Sequence, residues 1–324
     1  MSYFKRLRTL FKPPMYQGWG RTRSYFEGWY FKILNADASR AFAIIPGIAM
    51  GESGKQHAFI QVLDGKACTA SYHKFSSDSF EPSPDAFFVR LDKSLFSAEG
   101  LTVSLPDLSG TLSFSDHAFF PSSFFSPGIM GPFTFVPRME CYHGIVSMDH
   151  KIMGSLSYKG EVISFDGGSG YLEKDWGRSF PDAYIWMQTN HFKTKGVSVK
   201  CSVANIPWIG SSFVGFICAL WINNELIRFT TYNFCSLRQV IVTAEKVQIR
   251  LRHPKYILEI DADRSDSTSL ASPIQGFMDG RIEESMTACI HIKLTERKSG
   301  SVIFEEVGEH AGLEVAGNYN KLLC

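Results

Sequence analysis

Apolar and polar residues alternate one for one along much of this chain. Val197, Val199, Cys201 and Val203 are interleaved with Ser198, Lys200 and Ser202, and Leu101, Val103 and Leu105 with Thr102 and Ser104. Met286, Ala288, Ile290, Ile292 and Leu294 alternate with Thr287, Cys289, His291 and Lys293. A period of two sends one set of side chains to a core and the other to water or a polar lumen, so these runs predict β-strands. Turn signals separate them at Asn223-Asn224, Lys159-Gly160, Gly167-Gly168, Ser299-Gly300 and Pro82-Ser83-Pro84. Near residues 244–247 the phase changes, from Val240 and Val242 to Val247, Ile249 and Leu251, which predicts a bulge or tight turn.

Helical spacing is nearly absent. Its best instance is Phe4, Leu7, Leu10 and Phe11, with Lys5, Arg6, Arg8 and Lys12 between them. This predicts a short terminal helix packed on the body. The alternative is a basic amphipathic foot, giving residues 1–12 a weak peripheral contact with anionic lipid. Many short strands at near-regular spacing predict an all-β protein, and Gly167-Gly168-Ser169-Gly170 marks a boundary. The predicted halves are residues 1–165 and 166–324.

Composition narrows the class. At 324 residues, 44% hydrophobic and 20% charged, the chain can build a sizeable core. The formal net charge of +1 argues against nucleic acid as a partner, because phosphate binding needs a concentrated basic surface. Seven cysteines stand far apart without a CxxC pair, arguing against a disulfide framework or a zinc site and for a reducing, cytoplasmic setting. No secretory h-region is visible, and the longest apolar stretch, Phe213 to Ile222, is about ten residues, half of a spanning helix. A soluble protein is expected. Twenty-seven Phe among 14% aromatic residues suit both a core and a pocket for greasy ligands.

Three segments carry candidate chemistry. In Tyr25-Phe26-Glu27-Gly28-Trp29-Tyr30-Phe31-Lys32, an extended chain puts Glu27, Trp29 and Phe31 on one face and Gly28, Tyr30 and Lys32 on the other. Glu27 is then either an acid in an apolar setting or a structural carboxylate bonded to backbone amides. In Gly170-Tyr171-Leu172-Glu173-Lys174-Asp175-Trp176-Gly177-Arg178, Glu173 and Asp175 share a face. Two carboxylates so placed raise each other's proton affinity, which makes one a general acid; the alternative is a structural ion-pair cluster with Lys174 and Arg178. In the third, Tyr184, Trp186, Gln188 and Asn190 line one face of a strand and mix aromatic planes with amides, as a pocket wall or an ordinary half-buried strand would. His143 and His150, seven residues apart, point opposite ways in one strand, so metal ligation by the pair is not expected. No GxSxG elbow, P-loop or dinucleotide fingerprint occurs.

These segments bring a family into view. Phe26-Glu27-Gly28-Trp29-Tyr30-Phe31-Lys32 resembles the first signature of the tocopherol cyclase-like family. Glu173-Lys174-Asp175-Trp176-Gly177, with Phe180-Pro181 and the Trp186/Gln188 strand, resembles its second, and Gly312-Leu313-Glu314-Val315-Ala316-Gly317 its closing strand. The resemblance implies two lipocalin-like antiparallel β-barrel halves, related to carotenoid hydratases, and a cofactor-free reaction. In the plant and cyanobacterial enzymes an acid protonates the alkene of a prenylated hydroquinone and the phenol oxygen captures the tertiary cation. Photosynthetic members usually carry Asn where this chain has Asp175, so Glu173 is the firmer carry-over. The resemblance makes Glu173, Asp175 or Glu27 the acid, and Trp29, Trp176 and Trp186 aromatic faces over the cation. Tyr30, Tyr184, Gln188 and Asn190 complete the expected substrate contacts.

The leading expectation is therefore acid-catalysed cyclisation, hydration or isomerisation of a prenylated quinol or polyene lipid. The rival is a lipocalin-like carrier that holds an apolar molecule without turnover.

Overall fold

The computed structural model describes Lys5 and residues 8–323. Of the amphipathic terminal segment, Phe4, Arg6 and Leu7 lie outside the described residues. Arg8–Leu10 are helical, and the segment then turns through Lys12 N–H to Thr9 O at 2.8 Å and Met15 N–H to Lys12 O at 3.0 Å.

Alternation becomes strand nearly everywhere. The first sheet contains β1 (Tyr25–Leu34), β2 (Ala41–Met50), β3 (Gln56–Asp64), β4 (Thr69–Phe75), β5 (Phe80–Pro82) and β6 (Phe88–Leu91). It continues with β7 (Ser94–Ser97), β8 (Gly100–Ser104), β9 (Leu108–Ser115), β10 (Cys141–Tyr158), β11 (Glu161–Ser164) and β12 (Gly168–Gly177). Its order is β4-β3-β2-β1-β12-β10-β9-β8-β7-β6-β5, with β11 on β10. Neighbours in sequence are mostly neighbours in space; the exceptions are β4 and β5, which lie at opposite ends of the order, and β12, which returns to fill the place between β1 and β10. One apolar core draws Trp29, Phe31, Phe42, Ile60, Leu91, Val103, Leu156 and Leu172 from strands across this sheet, so the sheet curls about them.

The second sheet holds β13 (Ala183–Thr189), β14 (Ser198–Trp208), β15 (Ser211–Ile222), β16 (Glu225–Thr230), β17 (Ser236–Val242) and β18 (Lys246–Arg252). It ends with β19 (Tyr256–Asp263), β20 (Thr268–Ile274), β21 (Phe277–Glu296) and β22 (Val302–Gly317). The order is β16-β15-β14-β13-β22-β21-β19-β18-β17, with β20 on β21. Val199, Cys201 and Val203 meet Ala288, Ile290, Ile292 and Leu294 in its core, as their alternation predicts. All the paired strands with a stated register run antiparallel, so the protein is all-β with two large antiparallel sheets.

The turn signals are realised. Asn223 and Asn224, both with positive φ of 52° and 59°, turn β15 into β16, and the phase change near residues 244–247 is the β17–β18 hairpin, where Val242 pairs with Val247. The predicted boundary is corrected. The chain divides into residues 1–180 with 270–281, and residues 181–269 with 282–324. Gly167–Gly170 is no linker, because Gly167 turns the chain into β12 and Gly168–Gly170 already belong to that strand, a central one of the first sheet. Residues 270–281 belong to the first unit, where Ala271 N–H donates to the Gln61 side-chain Oε1 at 2.8 Å and Met50 N–H to the backbone Gly276 O at 2.9 Å.

Candidate active site

The first two motifs are hydrogen-bonded neighbours. In the β1–β12 register Glu27 is opposite Trp176, Trp29 opposite Lys174, and Tyr30 opposite Glu173. Partners in a ladder share a face, so each motif splits residue by residue between two faces of one sheet. Both strands are buried on both faces along nearly their whole length.

One face is a clamp. Lys174 Nζ lies 2.6 Å from Glu27 Oε1, and both side chains are fully buried. Lys174 also donates to the carbonyls of Pro13, at 2.8 Å, and Met15. Its ammonium stands 4.9 Å from the Trp29 ring centroid and 4.7 Å from that of Trp176. Glu27 accepts from the Gln17 N–H at 2.9 and 3.0 Å and from the Tyr25 hydroxyl, while Trp29 Nε1–H donates to Pro14 O at 2.8 Å. Gly144 opens the room: a Cβ there would come within 3.2 Å of Pro13 and 3.3 Å of Trp176. Burial raises the Glu27 carboxyl above its ordinary range and pushes Lys174 down to about 8, with each partner opposing the other's shift. This face seats residues 13–17 on the sheet.

The other face carries a different set. Glu173 is buried, and its Oε2 accepts from the Tyr171 hydroxyl at 2.6 Å. His143, opposite Asp175 in the β10–β12 register, lies between the two carboxylates. Its Nδ1 is 2.8 Å from Asp175 Oδ1 and its Nε2 3.3 Å from Glu173 Oε2. Burial first, and Glu173 second, push the Tyr171 phenol well above its ordinary value, so it stays a donor. Tyr30 and the fully buried Lys32 share this face through their partners Glu173 and Tyr171. Asp175 remains partly open, with its side chain 25% exposed.

Several expectations change on this geometry. Lys174 does not neutralise Glu173 and Asp175, because it points away from them and pairs with Glu27. Trp29 and Trp176 face that lysine instead of the Glu173 carboxyl; of the first-unit aromatics expected to contact substrate, Tyr30 is the one on the Glu173 face. Glu27 has the structural surroundings weighed as its alternative. Sequence spacing relates His143 only to His150. Those two do face opposite sides, His150 packing on Phe114 with ring centroids 4.4 Å apart, but the partners of His143 come from β12. His143, Glu173 and Asp175 present ligand atoms within 4.8 Å of one another, a set able to hold a metal ion. The two carboxylates address opposite nitrogens of one ring, an arrangement that also suits proton transfer along the line Asp175–His143–Glu173.

In the second unit Tyr184, Trp186 and Gln188 lie on one face of β13, opposite Ala204, Ser202 and Lys200 of β14 and Ala316, Glu314 and Gly312 of β22. The Tyr184 hydroxyl donates to Glu314 Oε2 at 2.6 Å, and Lys200 Nζ to Ser202 Oγ at 2.7 Å. Asn190 lies beyond the end of β13, its Oδ1 3.1 Å from His191 Nδ1. This face is richer in ionisable groups than its own strand announces, since Lys200, Glu314 and the buried Glu284, opposite Glu314, come from neighbouring strands.

No helix among the described residues is long and apolar enough to cross a membrane. In overall fold the chain is similar to CghA, crystallised with Sch210972, at 12% identity and a TM-score of 0.55, over 90% of this chain and 88% of that one. It is also similar to kievitone hydratase from Nectria haematococca, at 10% identity and a TM-score of 0.50, over 95% of each chain. No curated protein matches it in sequence. The family described as tocopherol cyclase-like matches residues 129–317, more than half of the chain, taking in β10, the Glu173 motif and the closing strand. The chain belongs to the tocopherol cyclase-like family.

Proposed function

We propose that this protein is an acid catalyst that protonates an alkene of a prenylated quinol or polyene lipid, with Glu173 as the proton donor. Family membership supports a catalytic, lipid-modifying role. The observation that carries the finer reading is the buried Glu173 carboxyl, bonded by Tyr171 and addressed by His143, whose far nitrogen is held by Asp175. Burial favours the neutral form of a carboxyl, as a proton donor needs, and the Tyr171 bond favours the carboxylate left once the proton has gone.

The step balances without an added reagent. The Glu173 O–H bond breaks as a C–H bond forms on the less substituted alkene carbon, leaving a tertiary cation on the other. A phenol oxygen of the same molecule then forms the C–O bond, and its proton returns to the carboxylate, so product and substrate have the same mass. Capture by water adds one water; loss of a neighbouring C–H proton moves the double bond. Tyr30, beside Glu173, offers an aromatic face to the cation. Tyr171 steadies the carboxylate while the cation lives, and His143, held by Asp175, relays the departing proton back to it. Tyr184, Trp186 and Gln188 are the ligand contacts we assign to the second unit.

Purified protein incubated with a lipid extract of its host, followed by chromatography and mass spectrometry, tests the reading. An isomer of unchanged mass, or a product heavier by one water, that is absent with Glu173→Gln supports it. A lipid retained without change by both proteins sinks it in favour of a carrier.

A further inference from the structure

The connection from β9 to β10 carries an apolar feature that folding does not require. Ser123 and Ser126 exchange backbone hydrogen bonds, 3.0 Å from Ser123 N to Ser126 O and 3.2 Å in return, which leaves Phe124 and Phe125 as the two apex residues of a tight turn. Such turns favour Asn, Asp and Gly for their backbone freedom and solubility. Here two phenylalanines stand 69% and 76% exposed. Phe124 stacks on Phe11 with centroids 5.2 Å apart, Phe125 meets Phe124 edge-on at 5.1 Å, and Phe135 lies 5.5 Å from Phe11. Phe11 and Phe135 are each 37% exposed, so four rings make one apolar patch.

Charge identifies the occupant. Between Asp116 and Glu140 the chain has no acidic residue, and from Met1 to Phe26 it has six Lys or Arg and no Asp or Glu. Lys12, next to Phe11, is exposed; Arg8 is bound to Asp85 at 2.8 Å, and the Lys5 ammonium lies 4.2 Å from the Trp19 ring. An aromatic apex that projects, with the exposed Lys12 beside it and no acidic residue in either segment, matches an interface that is apolar inside and anionic at its surface. We propose that this face docks on an anionic phospholipid bilayer, with Phe124 and Phe125 entering at headgroup depth and Lys12 meeting the phosphates. The docking is independent of the assignment of Glu173.

Flotation with vesicles of phosphatidylcholine, with and without phosphatidylserine, tests it. The full chain is expected to float with the anionic vesicles, less with neutral ones, and less as salt is raised. Phe124→Ser with Phe125→Ser removes two rings from the bilayer and is expected to weaken partition roughly 100-fold, with an unchanged circular dichroism spectrum. Should the double variant lose its fold, Phe125→Ser alone, at the more exposed position, serves with a smaller loss. The proposal is overturned if the wild-type chain stays unbound, if the variants float equally well, or if the rings instead drive self-association without vesicles.

Discussion

Glu27 and Glu173 lie on hydrogen-bonded neighbouring strands and point to opposite faces of the same sheet. One is locked to Lys174 and holds residues 13–17; the other faces His143, Tyr171 and, through the imidazole, Asp175. Two carboxylates from similar aromatic-rich motifs thus have separable roles, and variants can pull them apart.

Removing one member of the clamp should cost stability. Glu27→Gln leaves the Lys174 ammonium buried without its counter-charge, a loss of about 3–5 kcal/mol for pairs of this kind. Chemical denaturation measures it, and cleavage by trypsin after Arg8 should accelerate. Combining Glu27→Leu with Lys174→Met should cost less than the sum of the single changes; strict additivity would mean that the pair is not coupled.

Asp175 should matter through the proton it holds on His143. The amide oxygen of Asp175→Asn can still accept from Nδ1–H, so turnover should stay within about tenfold of wild type, whereas Asp175→Ala should lose roughly 100-fold. Equal turnover in all three would remove His143 and Asp175 from the proton path.

His150 gives the fold an acid limit. Burial, with His117 nearby, lowers its pKa to about 3, so the folded protein keeps the ring neutral while the unfolded chain protonates near 6.5. Below pH 6.5 the unfolded state binds the extra proton, and stability falls with pH by up to about 1.4 kcal/mol per pH unit until the folded pKa is reached. His150→Leu should remove that slope between pH 4 and 6 in urea unfolding. His117 is also lowered by burial and titrates in both proteins, so an unchanged slope would place the effect there.

The strands, their hairpins and the division of each motif between two faces were legible because a period of two is a local property. The Asn223-Asn224 turn and the Val242/Val247 hairpin needed only neighbouring residues to be seen. His143 was not legible as a partner of Glu173, because their meeting depends on β12 returning between β1 and β10, a register set by distant contacts. Lys174 misled for the same reason: adjacent in sequence to both Glu173 and Asp175, it projects to the face where Glu27 waits. The Gly167–Gly170 run read as a boundary because a turn into a central strand and a linker share the same residues.

Turnover by Glu173→Gln beside Glu27→Gln, each on the lipid substrate that the wild-type protein converts and each with its stability measured, tests the account most directly. General acids of this kind contribute about 100- to 10,000-fold, so Glu173→Gln should lose that much turnover while keeping its fold, and the Glu27→Gln protein that remains folded should keep its turnover. Turnover that survives Glu173→Gln and disappears from folded Glu27→Gln would contradict the assignment and move the acid to the clamp.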